Sequence, residues 1–77
     1  MPQVKVSLYA TLRQYVGGAA VVEVEIAPGQ TVEQLLGQLN VPVGQTRVMF
    51  INNRAARLTD PLQGGERLDV FPGIGGG

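Results

Sequence analysis

The residues with the clearest chemical potential are the last three, Gly75, Gly76 and Gly77, which end in a carboxylate. Consecutive glycines have no side chain to pack and lose the most backbone freedom on ordering, so we expect a flexible segment. A backbone without Cβ atoms is thin enough to enter a narrow active site of another protein. The pattern therefore predicts a chain whose carboxyl group is acted on by partner enzymes.

Other chemistry is largely excluded, because the 77 residues contain no Cys and no His. Disulfides, thiolate nucleophiles, imidazole bases and structural zinc sites are therefore ruled out. Glu23 and Glu25 share one predicted strand face without a neighbouring His, which favours a solvated face over acid–base catalysis. We predict no catalytic groups within the chain, no metal site and no bound cofactor.

The charge balance also limits the classes of molecule that the chain is expected to bind. Six basic and six acidic residues cancel, which argues against nucleic acid and anionic membranes. No apolar stretch approaches the roughly 20 residues of a membrane span, and the first residues lack the apolar core of a signal peptide. We expect one small cytoplasmic domain over residues 1–72, followed by a glycine-rich tail over 73–77.

Hydrophobic periodicity predicts the elements that would carry this tail. Strands are expected at 4–8, 22–26, 48–51, 54–57 and 68–71, with helices at 10–16 and 32–39. Thr31 and Gln34 have the spacing of a capping box at the start of the main helix. Gly37, inside that helix, is expected to permit a close approach to the sheet. Asn52 and Asn53 are expected to form a tight hairpin turn.

This order of elements indicates an α+β fold of the β-grasp, or ubiquitin-like, type. We expect a mixed sheet of four to five strands, one main helix and a short extra helix after the first strand. The first two strands would be antiparallel, and the last strand would lie parallel to the first. The tail would then leave from one end of the sheet.

Strand parity predicts a second site close to that end. Tyr9 and Phe71 each follow an inward-facing residue and therefore point to the outer face of the sheet. An exposed aromatic pair is typical of a partner surface. We expect Met49 and Ile51 to extend this apolar face. The alternative, in which Tyr9 packs on the short helix and Phe71 on the loops, stays open.

Three segments resemble the small subunit of molybdopterin synthase: residues 5–13 (KVSLYATLR), 60–68 (DPLQGGERL) and 71–77 (FPGIGGG). The resemblance covers essentially the whole chain and extends to the thiamine sulfur carriers. It implies a ubiquitin-like domain whose C-terminal glycine is adenylated, with ATP, by a ubiquitin-activating-like adenylyltransferase. The adenylate is then converted to a thiocarboxylate that delivers sulfur to a cofactor precursor or another acceptor.

The resemblance also implies roles for individual residues. Gly77 would carry the reacting carboxyl group, while Ile74, Gly75 and Gly76 would bind in the tunnel of the activating enzyme. Relatives commonly have a second Pro at the position of Gly73, and most end in two glycines.

The resemblance assigns a partner surface as well. Tyr9, Ala55 and Phe71 match the apolar patch that packs on the large subunit of the synthase. Such a patch would also allow self-association when the partner is missing.

Three functions remain open. The leading one is a sulfur carrier for molybdopterin or its tungsten equivalent, acting as the carrier subunit of a sulfurtransferase. The short helix at 10–16 favours it over a thiamine-type carrier, because thiamine carriers usually lack that helix. The second is a ubiquitin-like modifier of protein lysines, and the third is a β-grasp interaction domain with an inert tail. The sequence names neither the acceptor nor the oligomeric state.

Overall fold

The structure is a computed structural model and describes residues 2–73. Within these residues the chain forms seven strands, one α-helix and two 3₁₀ helices. The strands are β1 (Gln3–Leu8), β2 (Val21–Glu25), β3 (Gln30–Thr31), β4 (Thr46–Ile51), β5 (Arg54–Ala56), β6 (Pro61–Leu62) and β7 (Arg67–Pro72). The helices are α1 (Val32–Gln38) and the 3₁₀ helices Ala10–Val16 and Val43–Gln45. The sites predicted at Ile74, Gly75, Gly76 and Gly77 lie outside the described residues.

The main sheet is mixed, with the strand order β2-β1-β7-β4-β5. As predicted, β1 pairs antiparallel with β2 and parallel with β7. Strand β4 pairs antiparallel with both β7 and β5. Because β1 and β7 are parallel, their carboxyl ends meet at one edge of the sheet, and Gly73 follows β7 at that edge.

Helix α1 covers one face of this sheet and buries Val32, Leu35 and Leu36. Its capping box is present: the Gln34 amide N–H donates to Thr31 Oγ1 at 3.2 Å, and the Thr31 amide N–H donates to Gln34 Oε1 at 3.0 Å. These bonds satisfy amide groups that have no partner within the helix. The core continues into the sheet through inward-facing residues of β1 and β7.

The expected role of Gly37 is wrong. Gly37 is exposed, and a Cβ atom there would meet only open space. A second, two-stranded sheet also forms outside the predicted strands, because Gln30 and Thr31 pair with Leu62 and Pro61. The turn at Asn52 and Asn53 is confirmed, with left-handed φ values of 51° and 67°.

A β-bulge interrupts the pairing of β4 with β7. Thr46 is opposite Pro72 and Val48 is opposite Phe71, so β4 has one extra residue, Arg47, across a single step of β7. A bulge of this kind bends its strand and re-aims a side chain. The bulge lies at the sheet edge where β7 ends.

Candidate functional site

The outer face of the sheet presents three aromatic rings that contact one another. The rings of Tyr9 and Phe71 are stacked, with centroids 4.2 Å apart and planes 7° from parallel. Phe50 meets Phe71 edge-on at a centroid distance of 6.0 Å. We call these three residues the aromatic platform. The predicted meeting of Tyr9 and Phe71 is therefore present, and Phe50 adds to it.

A hydrogen bond orients the Tyr9 ring on this platform. The Tyr9 hydroxyl donates to Asp69 Oδ1 at 3.2 Å, and Arg67 Nε donates to the same oxygen at 3.3 Å. Asp69 lies on the outer face opposite Phe50, yet its side chain is only 8% exposed because Tyr9 and Arg67 cover it. The phenol of Tyr9 and then the charge of Asp69 raise the pKa of Arg67, so its guanidinium stays charged.

A shallow apolar groove runs from the platform to the end of β7. Its lining residues are Tyr9, Ala10, Arg47, Val48, Phe50, Phe71, Pro72 and Gly73. The Gly73 amide N–H donates to the Gln45 carbonyl oxygen at 3.1 Å, which fixes the last described residue beside the groove. The Tyr15 hydroxyl donates to Gln45 Oε1 at 2.9 Å and so ties the first 3₁₀ helix to the same corner.

The expected contribution of Met49 and Ile51 to this face is wrong. Met49 is 7% exposed and pairs with Val70, while Ile51 pairs with Leu68, so both belong to the core side. The outward residues of β4 are Val48, which is 44% exposed, and Phe50.

Sequence reasoning therefore missed Val48 and Phe50, and it also missed Asp69 and Arg47 as parts of the site. Ala55 is exposed and lies directly opposite Phe50 on β5, which places it beside the platform. The signal that could have revealed Phe50 and Asp69 is alternation: each lies between two inward-facing residues. No residue type in this part of the sequence predicts the β-bulge that adds Arg47 to the groove.

This arrangement is suited to binding. Apart from Arg47, the residues of the 2–73 range that line the groove have no charged side chain, so they offer no acid–base pair. Within residues 2–73, no three potential metal ligands come together. None of the helices in that part of the chain has the length and apolar character needed to cross a lipid bilayer.

Solved structures share this fold at low sequence identity. Small archaeal modifier protein 1 of H. volcanii has a TM-score of 0.75 and 20% identity, covering 96% of this chain and 100% of its own. A putative molybdopterin converting factor subunit 1 from Pyrococcus furiosus has a TM-score of 0.73 and 23% identity, with coverage of 96% and 100%.

A complex of subunits 1 and 2 of molybdopterin-converting factor from Helicobacter pylori matches with a TM-score of 0.63 and 16% identity, covering 97% of this chain and 99% of the other. Together these structures identify the fold as the ubiquitin-like β-grasp.

A comparison with curated proteins gave no match. The sequence model of the ThiS family, in contrast, matches residues 6–77 and so spans nearly the whole chain. The chain therefore belongs to the ThiS family of ubiquitin-like sulfur carriers.

Proposed function

We propose that this chain is the sulfur carrier of molybdopterin synthase, its small subunit. The observation that carries the proposal is the aromatic platform, because it lies along the groove that leads to Gly73. A partner docked on Tyr9 and Phe71 would hold the sheet edge at which β7 ends and Gly73 follows. The match to the ThiS family extends through Gly77, the residue that would react.

The reaction proposed for Gly77 is acyl activation. A carboxylate is a poor acyl donor, and an adenylyltransferase that uses ATP would convert it to an acyl-adenylate with release of pyrophosphate. A sulfur nucleophile would then attack the carbonyl carbon, form the C–S bond and release AMP. Ile74, Gly75 and Gly76 would bind in the active site of the enzyme, which supplies every catalytic group.

Two observations favour the molybdopterin pathway. A 3₁₀ helix follows β1 directly at Ala10–Val16, where thiamine-type carriers are expected to lack a helix. A structural neighbour, the H. pylori complex, contains subunits 1 and 2 of a molybdopterin-converting factor. The large subunit of the synthase is accordingly the proposed partner for the face formed by Tyr9, Ala55 and Phe71.

A second candidate function is protein modification. The structural similarity to the H. volcanii modifier is as high as that to the P. furiosus subunit, with TM-scores of 0.75 and 0.73. A modifier would use the same Gly77 adenylate, and a lysine amine of the target protein would displace AMP to form an isopeptide bond. The two functions therefore differ only in the nucleophile.

Intact mass spectrometry of the protein purified from its own host tests the proposal. A thiocarboxylate adds the mass difference between sulfur and oxygen to the chain, whereas a modifier is recovered as isopeptide adducts of other proteins. A chain found only with an ordinary carboxylate, under conditions in which molybdopterin is being made, would contradict both functions.

Deleting Gly76 and Gly77 provides the matched loss-of-function test. The fold should persist because the hydrophobic core is formed by side chains within residues 2–73, while thiocarboxylate formation should be lost. Unfolding in urea, followed by circular dichroism, serves as the control for the fold. Unchanged sulfur transfer by the shortened chain would show that Gly77 is not the reacting residue.

A further inference from the structure

The bulge in β4 brings a positive charge to a groove whose other lining residues, among those that the structure describes, are uncharged. It places Arg47 next to Val48, and both line the groove together with Phe71 and Pro72. The other lining residues are aromatic, aliphatic, proline or glycine. An exposed guanidinium at the rim of an apolar surface is the arrangement found where interfaces combine hydrophobic contact with charge recognition.

The charge of Arg47 has no counterpart nearby in residues 2–73. Within that part of the chain the one ion pair joins Arg67 to Asp69. Three further carboxylates of the sheet region lie away from this edge. Glu23 is opposite Lys5 on β1. Glu25 is opposite Gln3 at the start of β1, and Glu66 accepts hydrogen bonds from the amides of Gln63 and Gly64 before β7 begins. The platform edge is therefore locally cationic although the whole chain is neutral.

We infer that Arg47 is a specificity residue of the docking face and pairs with a carboxylate on the large subunit of the synthase. The inference rests on the proposed function, since it assumes that the aromatic platform docks on that subunit. The large subunit must then present an apolar patch with an acidic side chain at its rim. A guanidinium matches a carboxylate with two parallel hydrogen bonds, so the pair would also fix the docking register.

A rim charge acts mainly on the rate of association and on its salt dependence. We therefore propose measuring association rate constants for the full chain and the host's own synthase large subunit, at about 0.01 M and about 1 M ionic strength. Arg47→Glu should slow association roughly tenfold at the lower ionic strength and little at the higher. Arg47→Lys should retain most of the wild-type rate.

Arg54→Glu is the matched control, because Arg54 is an exposed arginine at the far end of the same hairpin and the change in net charge is identical. Equal slowing by Arg47→Glu and Arg54→Glu would overturn the inference, since net charge alone would then explain the effect. If Arg47 pairs with one specific carboxylate of the large subunit, replacing that acidic residue by lysine should restore binding of the Arg47→Glu variant.

A Phe71→Ala variant separates the inference from the function on which it rests. If Phe71→Ala loses binding while Arg47→Glu binds like wild type, the docking face stands and the role of Arg47 is overturned. If neither variant affects binding, the docking face itself fails. Analytical ultracentrifugation of the chain alone tests whether a second copy of the chain binds in the groove instead. A wild-type dimer that dissociates in the Arg47→Glu variant would assign the groove to this second copy and overturn the inference.

Discussion

The hydroxyl of Tyr9 donates a hydrogen bond to Asp69, a nearly covered carboxylate on the central strand β7. This bond joins the end of β1 to the middle of β7 and holds the Tyr9 ring flat against Phe71. A hydrogen bond to a polar side chain thus positions one of the aromatic rings that form the apolar surface. The same carboxylate accepts a bond from Arg67. The Tyr9 phenol and then the Asp69 charge hold the pKa of Arg67 above its usual value, so the guanidinium of this pair stays charged even in alkaline solution.

Tyr9→Phe should separate anchoring from stacking. The substitution keeps the ring but removes the donor to Asp69, and we expect a loss of about 1 kcal/mol in the free energy of unfolding. Urea denaturation measures it. Tyr15→Phe is the control, because the Tyr15 hydroxyl bonds Gln45 in an exposed position, where a lost bond is replaced by water. Equal losses of unfolding free energy in the two variants would show that the Tyr9–Asp69 hydrogen bond stabilises the fold no more than an exposed one does.

Phe71→Ala should weaken partner binding far more than it weakens the fold. Phe71 contacts both other rings of the platform, and a central aromatic residue of an interface typically contributes at least about 2 kcal/mol, or roughly thirtyfold in Kd. Titration calorimetry with the synthase large subunit measures the change. Val21→Ala is the control, since Val21 is an exposed apolar residue on the edge strand β2 that does not line the groove. A thirtyfold loss in the control as well would argue against a localised interface.

The positions of Tyr9 and Phe71 could be predicted from the sequence because the side chains of β1 and β7 alternate between the two faces of the sheet, and no bulge interrupts the pairing of these strands. Each aromatic residue follows an inward-facing one, so its direction is determined by the period of two. The parallel pairing of the two strands then brings the rings together. Strand parity and the β-grasp topology were sufficient for this part of the site.

The contribution of Arg47 and the burial of Asp69 could not be predicted in the same way. The bulge adds a residue to β4 and changes which side chains share a face at its start, and a bulge depends on pairing with another strand. Asp69 lies between the inward-facing Leu68 and Val70, but its burial depends on Tyr9 and Arg67, which reach it from other positions. The local pattern around a residue does not specify such long-range coverage.

Removal of the helix cap should destabilise the domain without touching the site. Thr31→Ala leaves the Gln34 amide without its side-chain acceptor, and a lost cap of this type costs about 1 kcal/mol. For a domain of this size the melting temperature should fall by roughly 4–8 °C. Thr31→Ser keeps the hydroxyl and should melt close to wild type. If the serine variant melted as early as the alanine variant, the threonine methyl group, and not the cap, would be responsible.

Two glycine-to-alanine substitutions, at Gly37 and at Gly64, should have opposite effects on the free energy of unfolding. Gly37 lies in α1 with open space around it, so Gly37→Ala should raise the free energy of unfolding by about 1 kcal/mol. Gly64 has a φ of 116°, and a Cβ atom there would lie 2.5 Å from the Cβ atom of Pro2.

Gly64→Ala should therefore lower the free energy of unfolding by more than 1 kcal/mol, because it combines backbone strain with a steric clash. Denaturant unfolding of the two variants beside wild type measures both signs in one experiment. A stabilised Gly64→Ala variant would mean that the chain around Pro2 yields easily, and that the contact between residue 64 and the amino-terminal strand does not constrain the fold.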